Sequence, residues 1–119
     1  KEVEAIESVS ADEFAAKFKA NEVPKIVDVR KASEYASQHI ESNNVLNIPL
    51  DFINSKMEEF PQEETMFMHC AGGYRSVIAA SILKSRGYHN MVNIEGGFKA
   101  VEEGKLLPVS DYVCPSTLL

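Results

Sequence analysis

Hydrophobic positions divide this chain into short runs of two kinds. Residues 65–69, Thr-Met-Phe-Met-His, are rich in β-formers and too few for a helix, which predicts a buried strand. Lys25 to Arg30 is almost continuously apolar, as expected of a parallel strand covered on both faces. Glu4 to Val9, Val45 to Pro49 and Met91 to Ile94 supply three further short strands. Helical spacing lies between them. Phe14, Ala15 and Phe18 follow Ser10, which forms a capping-box pattern with Glu13, and Asn21 and Pro24 break that helix after about Ala20. Ala32 to Gln38 predicts a short helix with Ser33 as its cap and Glu34 in its first turn. Phe52, Ile53, Met57 and Phe60 predict another before Pro61. Val77, Ile78, Ala79, Ala80, Ile82 and Leu83 are apolar almost all round, which predicts a helix packed on a sheet. Lys84, Arg86 and Gly87 supply its end. Phe98 to Glu103 predicts a last helix, capped by Gly104. Five strands alternating with helices require an α/β fold, a parallel sheet with helices on both faces.

Length and composition narrow the picture. With 119 residues there is room for one domain with a real core, assigned to residues 1–104. Residues 105–119, with Pro108 and Pro115, read as an extended tail that wraps the domain or links it to a neighbour. Lys1 in place of an initiator methionine predicts a piece of a longer or processed protein. A net charge of −6 argues against nucleic acid and anionic membrane as partners, so any basic feature must be local. Neither an apolar span of about 18 residues nor a charged-then-apolar leader occurs, which predicts neither a membrane span nor a signal peptide. The two cysteines, Cys70 and Cys114, form no C-x-x-C pair and no cysteine–histidine metal spacing. That predicts no disulfide framework and a reducing, cytoplasmic compartment.

The candidate chemistry lies where the strand ending at His69 meets the next helix, in Cys70-Ala71-Gly72-Gly73-Tyr74-Arg75-Ser76. Gly72 and Gly73 allow positive φ, which would turn successive N–H groups toward one point, and the helix N-terminus adds to the anion-stabilising field. A cysteine at the mouth of such a ring favours its anionic, nucleophilic sulfur, and Arg75 adds a fixed positive charge. The bland reading of Cys70 as a small buried hydrophobe competes with this one; the glycines, the arginine and the helix start weigh against it.

This loop resembles the active-site loop of the rhodanese family, single-domain sulfurtransferases whose cysteine becomes a persulfide. Ile26-Val27-Asp28-Val29-Arg30 with Glu34-Tyr35 resembles the family's first signature, and Asn93-Ile94-Glu95-Gly96-Gly97-Phe98 its last. The resemblance covers nearly the whole chain. It implies a three-layer α/β/α fold on a five-stranded parallel sheet, with Cys70 as nucleophile and Ala71 to Ser76 as the substrate-binding ring. Asp28, Arg30 and Glu34 become supporting residues, with ion pairing that anchors a loop as their simplest role, and Arg75 is expected to be tied to Glu34 or Asp28. No metal or organic cofactor is implied. The implied partners are a small sulfur donor, thiosulfate or a low-molecular-weight persulfide such as glutathione persulfide, and a thiophilic acceptor, cyanide or a thiol. Loop and Cys-Pro-containing tail are also similar to rhodanese domains fused to metallo-β-lactamase-like persulfide dioxygenases, which implies a covalently linked neighbouring domain. Where relatives carry Gly-His-Ile and then Pro-Gly-Ala, this chain has Gln38-His39-Ile40 and Glu41-Ser42-Asn43-Asn44. His39 reads as a packing residue, and Tyr74 as a persulfide shield or an exposed loop apex. Two rivals stand beside this reading. Cysteine phosphatases and arsenate reductases of similar fold have one residue more between cysteine and arginine, and a rhodanese-like module can bind a partner without catalysis.

Overall fold

The computed structural model describes residues 6–104 and 107–110. Along the chain run β1 (Ser8–Val9), α1 (Ala11–Lys19), β2 (Lys25–Asp28), α2 (Ala32–Ser37) and β3 (Val45–Asn47). Two 3-10 turns follow (Leu50–Phe52 and Met57–Glu59), then β4 (Met66–His69), α3 (Tyr74–Ser85), β5 (Met91–Ile94) and α4 (Gly97–Gly104). The five strands form one sheet in the order β1-β5-β4-β2-β3, and every pairing is parallel. The α/β fold on a five-stranded parallel sheet is therefore as the sequence predicts. β4 is central. Asp28 lies opposite His69, and Met68 opposite Asn93, so the carboxyl ends of β2, β4 and β5 meet at one edge. Open parallel sheets place their ligands at that edge.

Strand alternation sorts the core into two layers. Val27, Val29, Met66, Met68, Cys70 and Met91 point toward Ala79, Ala80 and Leu83 of α3 and toward Ile53 and Phe60. Ile26, Phe67, Val92 and Ile94 point the other way, onto Phe14 and Ala15 of α1 and Phe98 and Val101 of α4. Each side chain fully removed from water contributes roughly 1.5–3 kcal/mol, which offsets the ordering of these short strands.

Helix ends follow local chemistry. Ser10 accepts from the Glu13 N–H at 3.1 Å while Glu13 accepts from the Ser10 N–H at 3.0 Å, the reciprocal pair that starts α1. α3 ends at Gly87, φ +97°, with its amide bonded to the Lys84 carbonyl.

Several expectations need correction. Ser33 does not start α2; Glu34 reaches back to the Lys31 N–H at 2.9 Å, and the cap position is Lys31. Phe52 to Phe60 is not an α-helix: i→i−3 bonds from Phe52 to Pro49, Ile53 to Leu50 and Glu59 to Lys56 close two separate 3-10 turns, with Ile53 and Phe60 buried, Met57 packed partly against the core and Phe52 exposed. Although α3 is apolar all round, only one side is covered, and Val77 and Ile78 face solvent. His39 is half-buried, stacked on Tyr35 with 4.2 Å between ring centroids. In the segment that lacks those glycines, Asn44 anchors the chain, bonding Ser42 and donating to the Val23 carbonyl at 2.8 Å.

Of the tail, the described residues Leu107 to Ser110 pack on the domain. Leu107 is buried, Val109 bridges antiparallel to Ile40, and the Ser110 N–H bonds the His39 carbonyl at 2.8 Å. Cys114, Glu4 and Ala5 lie outside the described residues. Among the described residues no helix is long and apolar enough to cross a membrane.

Candidate active site

Cys70 is the first residue past β4, and alternation turns its side chain to the α3 side of the sheet. It is 1% exposed. The chain then curls so that the Gly73 N–H donates to Sγ at 3.1 Å, and the Ser76 hydroxyl lies 3.7 Å from the same sulfur. Of the two loop glycines only Gly73 is left-handed, at φ +97°, which corrects the expectation that both would be. Gly73 also sits where a Cβ would come within 3.1 Å of the Gly96 amide nitrogen.

The first turn of α4 closes the loop from below. Phe98 donates its N–H to the Cys70 carbonyl at 2.6 Å and Lys99 donates to Ala71 at 3.0 Å. Gly97 makes this approach possible. It has φ +63°, and a Cβ there would run into the Cys70 carbonyl oxygen, 2.8 Å from Gly73 N and 2.9 Å from Ala71 C. The first amides of a helix thus satisfy the loop's carbonyls, while the loop's Gly73 N–H serves the sulfur.

The supporting charges fall into two pairs. Arg30 clamps Asp28 through Nε at 3.0 Å and Nη2 at 2.7 Å, bonds the Gln38 carbonyl at 2.7 Å and lies over the Phe98 ring at 4.4 Å. Both partners are buried, and removing either would leave an uncompensated charge. Their role is to join β2, α2 and α4 beneath the loop. Arg75 is held by Glu34 instead, at 2.8 and 3.1 Å. This bond lowers the Glu34 carboxyl below its ordinary value, against a smaller upward effect of burial, and raises the Arg75 guanidinium. Asp28 is not Arg75's partner.

Two features escape the sequence, His69 and Asn93, while Tyr74 is exposed as one of its two sequence readings expects. His69 is fully buried with Nε2 3.8 Å from Asp28 Oδ2, without a hydrogen-bond partner, and Nδ1 3.3 Å from the Cys70 carbonyl. Burial lowers its pKa, opposed by the Asp28 charge, so it sits neutral beneath the loop. Asn93 of β5 takes the Ser76 hydroxyl at 2.5 Å; a lone polar residue among Met91, Val92 and Ile94 was the available signal. Tyr74, 78% exposed, lies with Val77 and Ile78 as an uncovered apolar stripe at the start of α3.

Taken together, the Gly73 N–H and the Ser76 hydroxyl lie against the one sulfur, while Ala71 and Gly72 complete the loop. A fixed donor at this position suits an anionic sulfur.

The family model described as rhodanese-like domain matches residues 10–103. YrkF of Bacillus subtilis (strain 168), named as a proposed sulfur carrier protein, is 30% identical over 95 residues, a match covering 80% of this chain and 50% of that protein. This chain thus spans half the length of that relative. A protein of Allochromatium vinosum named sulfurtransferase is 26% identical over 95 residues, covering 80% of this chain and 87% of its own. Among solved structures, a rhodanese-like domain protein from Staphylococcus aureus superposes with a TM-score of 0.72 at 34% identity, covering 81% of this chain and 91% of its own.

Proposed function

We propose a sulfur-transfer function from one premise: the chain belongs to the rhodanese-like domain family. The observation that carries the reading is the 3.1 Å contact of the Gly73 N–H with a buried Cys70 sulfur at the carboxyl edge of a parallel sheet. Cys70 acts as the nucleophile. Its thiolate attacks the outer, sulfane sulfur of the donor, the S–S bond of the donor breaks, and its electron pair leaves with the departing group, sulfite from thiosulfate or a thiolate from a persulfide. Cys70 then carries one more sulfur as a persulfide. The Gly73 amide and its neighbours from Ala71 to Ser76 stabilise the charged terminal sulfur. In the second half, cyanide or a thiol attacks that outer sulfur and Cys70 leaves as thiolate. No electrons are gained or lost overall.

The surroundings favour an organic persulfide over thiosulfate as donor. Arg75, the loop's cation, is already neutralised by Glu34, whereas Tyr74, Val77 and Ile78 offer apolar surface to the body of a low-molecular-weight persulfide. The partners in this reading are that donor and a thiol acceptor, borne by a small molecule or by a linked neighbouring domain, in a reducing cytoplasmic setting that keeps Cys70 reactive. The test is thiocyanate formation from cyanide with thiosulfate or glutathione persulfide as donor, beside hydrolysis of an aryl phosphate. Thiocyanate with either donor and no phosphate release supports the proposal; phosphate release without thiocyanate overturns it.

A further inference from the structure

Behind the reactive sulfur lies a row of uncharged polar groups, buried at Ser76 and Asn93, that crosses from α3 to the exposed strand edge at Ser8. Ser76 Oγ, fully buried, is 3.7 Å from Cys70 Sγ, 2.5 Å from Asn93 Oδ1 and 3.3 Å from the Gly73 carbonyl. Asn93, 4% exposed, directs Nδ2 toward Ser8 Oγ at 3.5 Å, and Ser8 in turn donates to the Ile6 carbonyl at 3.4 Å. Register explains the row, since Ser8 of β1 pairs with Asn93 of β5. The charged and titratable groups around the loop are Arg75 of α3, Glu34 of α2, Asp28 and Arg30 of β2, His69 of β4 and the exposed Lys99 of α4. The first four are engaged in the two ion pairs already described.

A hydroxyl has one proton and two lone pairs. With two carbonyl-type acceptors around it, and Asn93 Oδ1 the nearer, Ser76 spends its proton on Asn93 and turns only lone pairs to the sulfur. That arrangement suits a thiol, whose S–H donates. A thiolate or persulfide anion needs the opposite, an O–H aimed at sulfur. Turning the Asn93 amide over supplies it. Nδ2 then donates to Ser76 Oγ, Oδ1 accepts from the Ser8 hydroxyl, and the Ser76 proton is released toward Cys70. An amide presents a donor and an acceptor of equal size, and Ser8, being a hydroxyl, can answer either.

We propose that Asn93 is a positioning residue for sulfur transfer, its amide turning over between an orientation that holds the Ser76 proton beside the Cys70 thiol and one that releases it to the thiolate or persulfide. The proposal rests on the sulfur-transfer reading for its purpose but not for its test, which follows the sulfur itself.

That test is the pH profile of Cys70 alkylation by iodoacetamide in the 119-residue protein. Asn93→Asp keeps the acceptor and cannot turn over, so the midpoint of the profile moves up, by about one unit, and reaction at neutral pH falls roughly tenfold. Asn93→Ala removes the competing acceptor and moves the midpoint the other way. In a Ser76→Ala background the Asn93→Asp effect disappears. An upward shift that persists without Ser76 is a plain charge effect and overturns the proposal, as do shifts of one sign in both Asn93 variants or no shift at all. Should the Asn93 variants fail to fold, Ser8→Ala at the exposed strand edge decides. It removes the donor that answers the turned amide, so the midpoint rises; an unchanged midpoint overturns the proposal. Alkylation proceeds whether or not the protein transfers sulfur, so failure of the functional reading leaves this result interpretable.

Discussion

Replacing Gly97 by alanine attacks the loop without touching its chemistry. The backbone there has φ +63°, which costs a non-glycine residue roughly 1–2 kcal/mol. The added Cβ would also overlap the Cys70 carbonyl oxygen and approach Gly73 N and Ala71 C to 2.8 and 2.9 Å. All three are backbone atoms and cannot rotate away, so loop and α4 must separate. Separation stretches the Phe98-to-Cys70 and Lys99-to-Ala71 bonds, each worth about 1 kcal/mol net. The expected loss is about 3 kcal/mol by urea unfolding, with a Tm lower by about 10–20 °C. A displacement of about 1 Å at the nucleophile should lower cyanide-dependent sulfur transfer about a hundredfold. Gly72→Ala is the control. Nothing lies within 4 Å of a Cβ at Gly72 and its φ is not positive, so stability should change by less than about 0.5 kcal/mol and transfer should persist. Gly97→Ala with wild-type stability and activity would refute the account of how α4 holds the loop.

Three further outcomes follow from the same geometry. Ser10→Ala should cost about 1 kcal/mol in urea unfolding through loss of the α1 capping box, whereas Ser33→Ala should cost close to nothing, since Ser33 caps nothing. Because burial lowers the pKa of His69, the unfolded chain takes up a proton that the folded one refuses; stability should be full above pH 6.5 and fall as pH drops below it, and His69→Gln should remove that slope. Glu34→Ala should cost at most about 1 kcal/mol, because the pair with Arg75 is about a third exposed, yet it frees a cation at the loop; the ratio of thiosulfate to glutathione-persulfide turnover should rise about fivefold, as paired steady-state assays would read.

β2, β4 and β5 were legible because their apolar runs are buried on both faces, and α1 because Ser10 and Glu13 write its start in side-chain chemistry. Residues 52–60 misled because helical spacing of Phe52, Ile53, Met57 and Phe60 does not distinguish a continuous α-helix from two short turns closed by i→i−3 bonds. Cys70, Gly73 and Arg75 were legible as neighbours in sequence. The choice of Glu34 over Asp28 for Arg75 was not, because both carboxylates lie close along the chain and only the fold decides which one Arg30 claims first. Asn93 and His69 carry their meaning in register: each is a polar residue in an apolar strand whose partner, Ser76 or Asp28, comes from another element.

Intact mass of the purified protein after exposure to glutathione persulfide or thiosulfate, beside Cys70→Ser, tests the central claim most directly. The account predicts a gain of one sulfur atom, absent in Cys70→Ser and reversed by cyanide, with the persulfide loading the protein more readily than thiosulfate. Folded protein with a reduced Cys70 that gains no sulfur from either donor would contradict it.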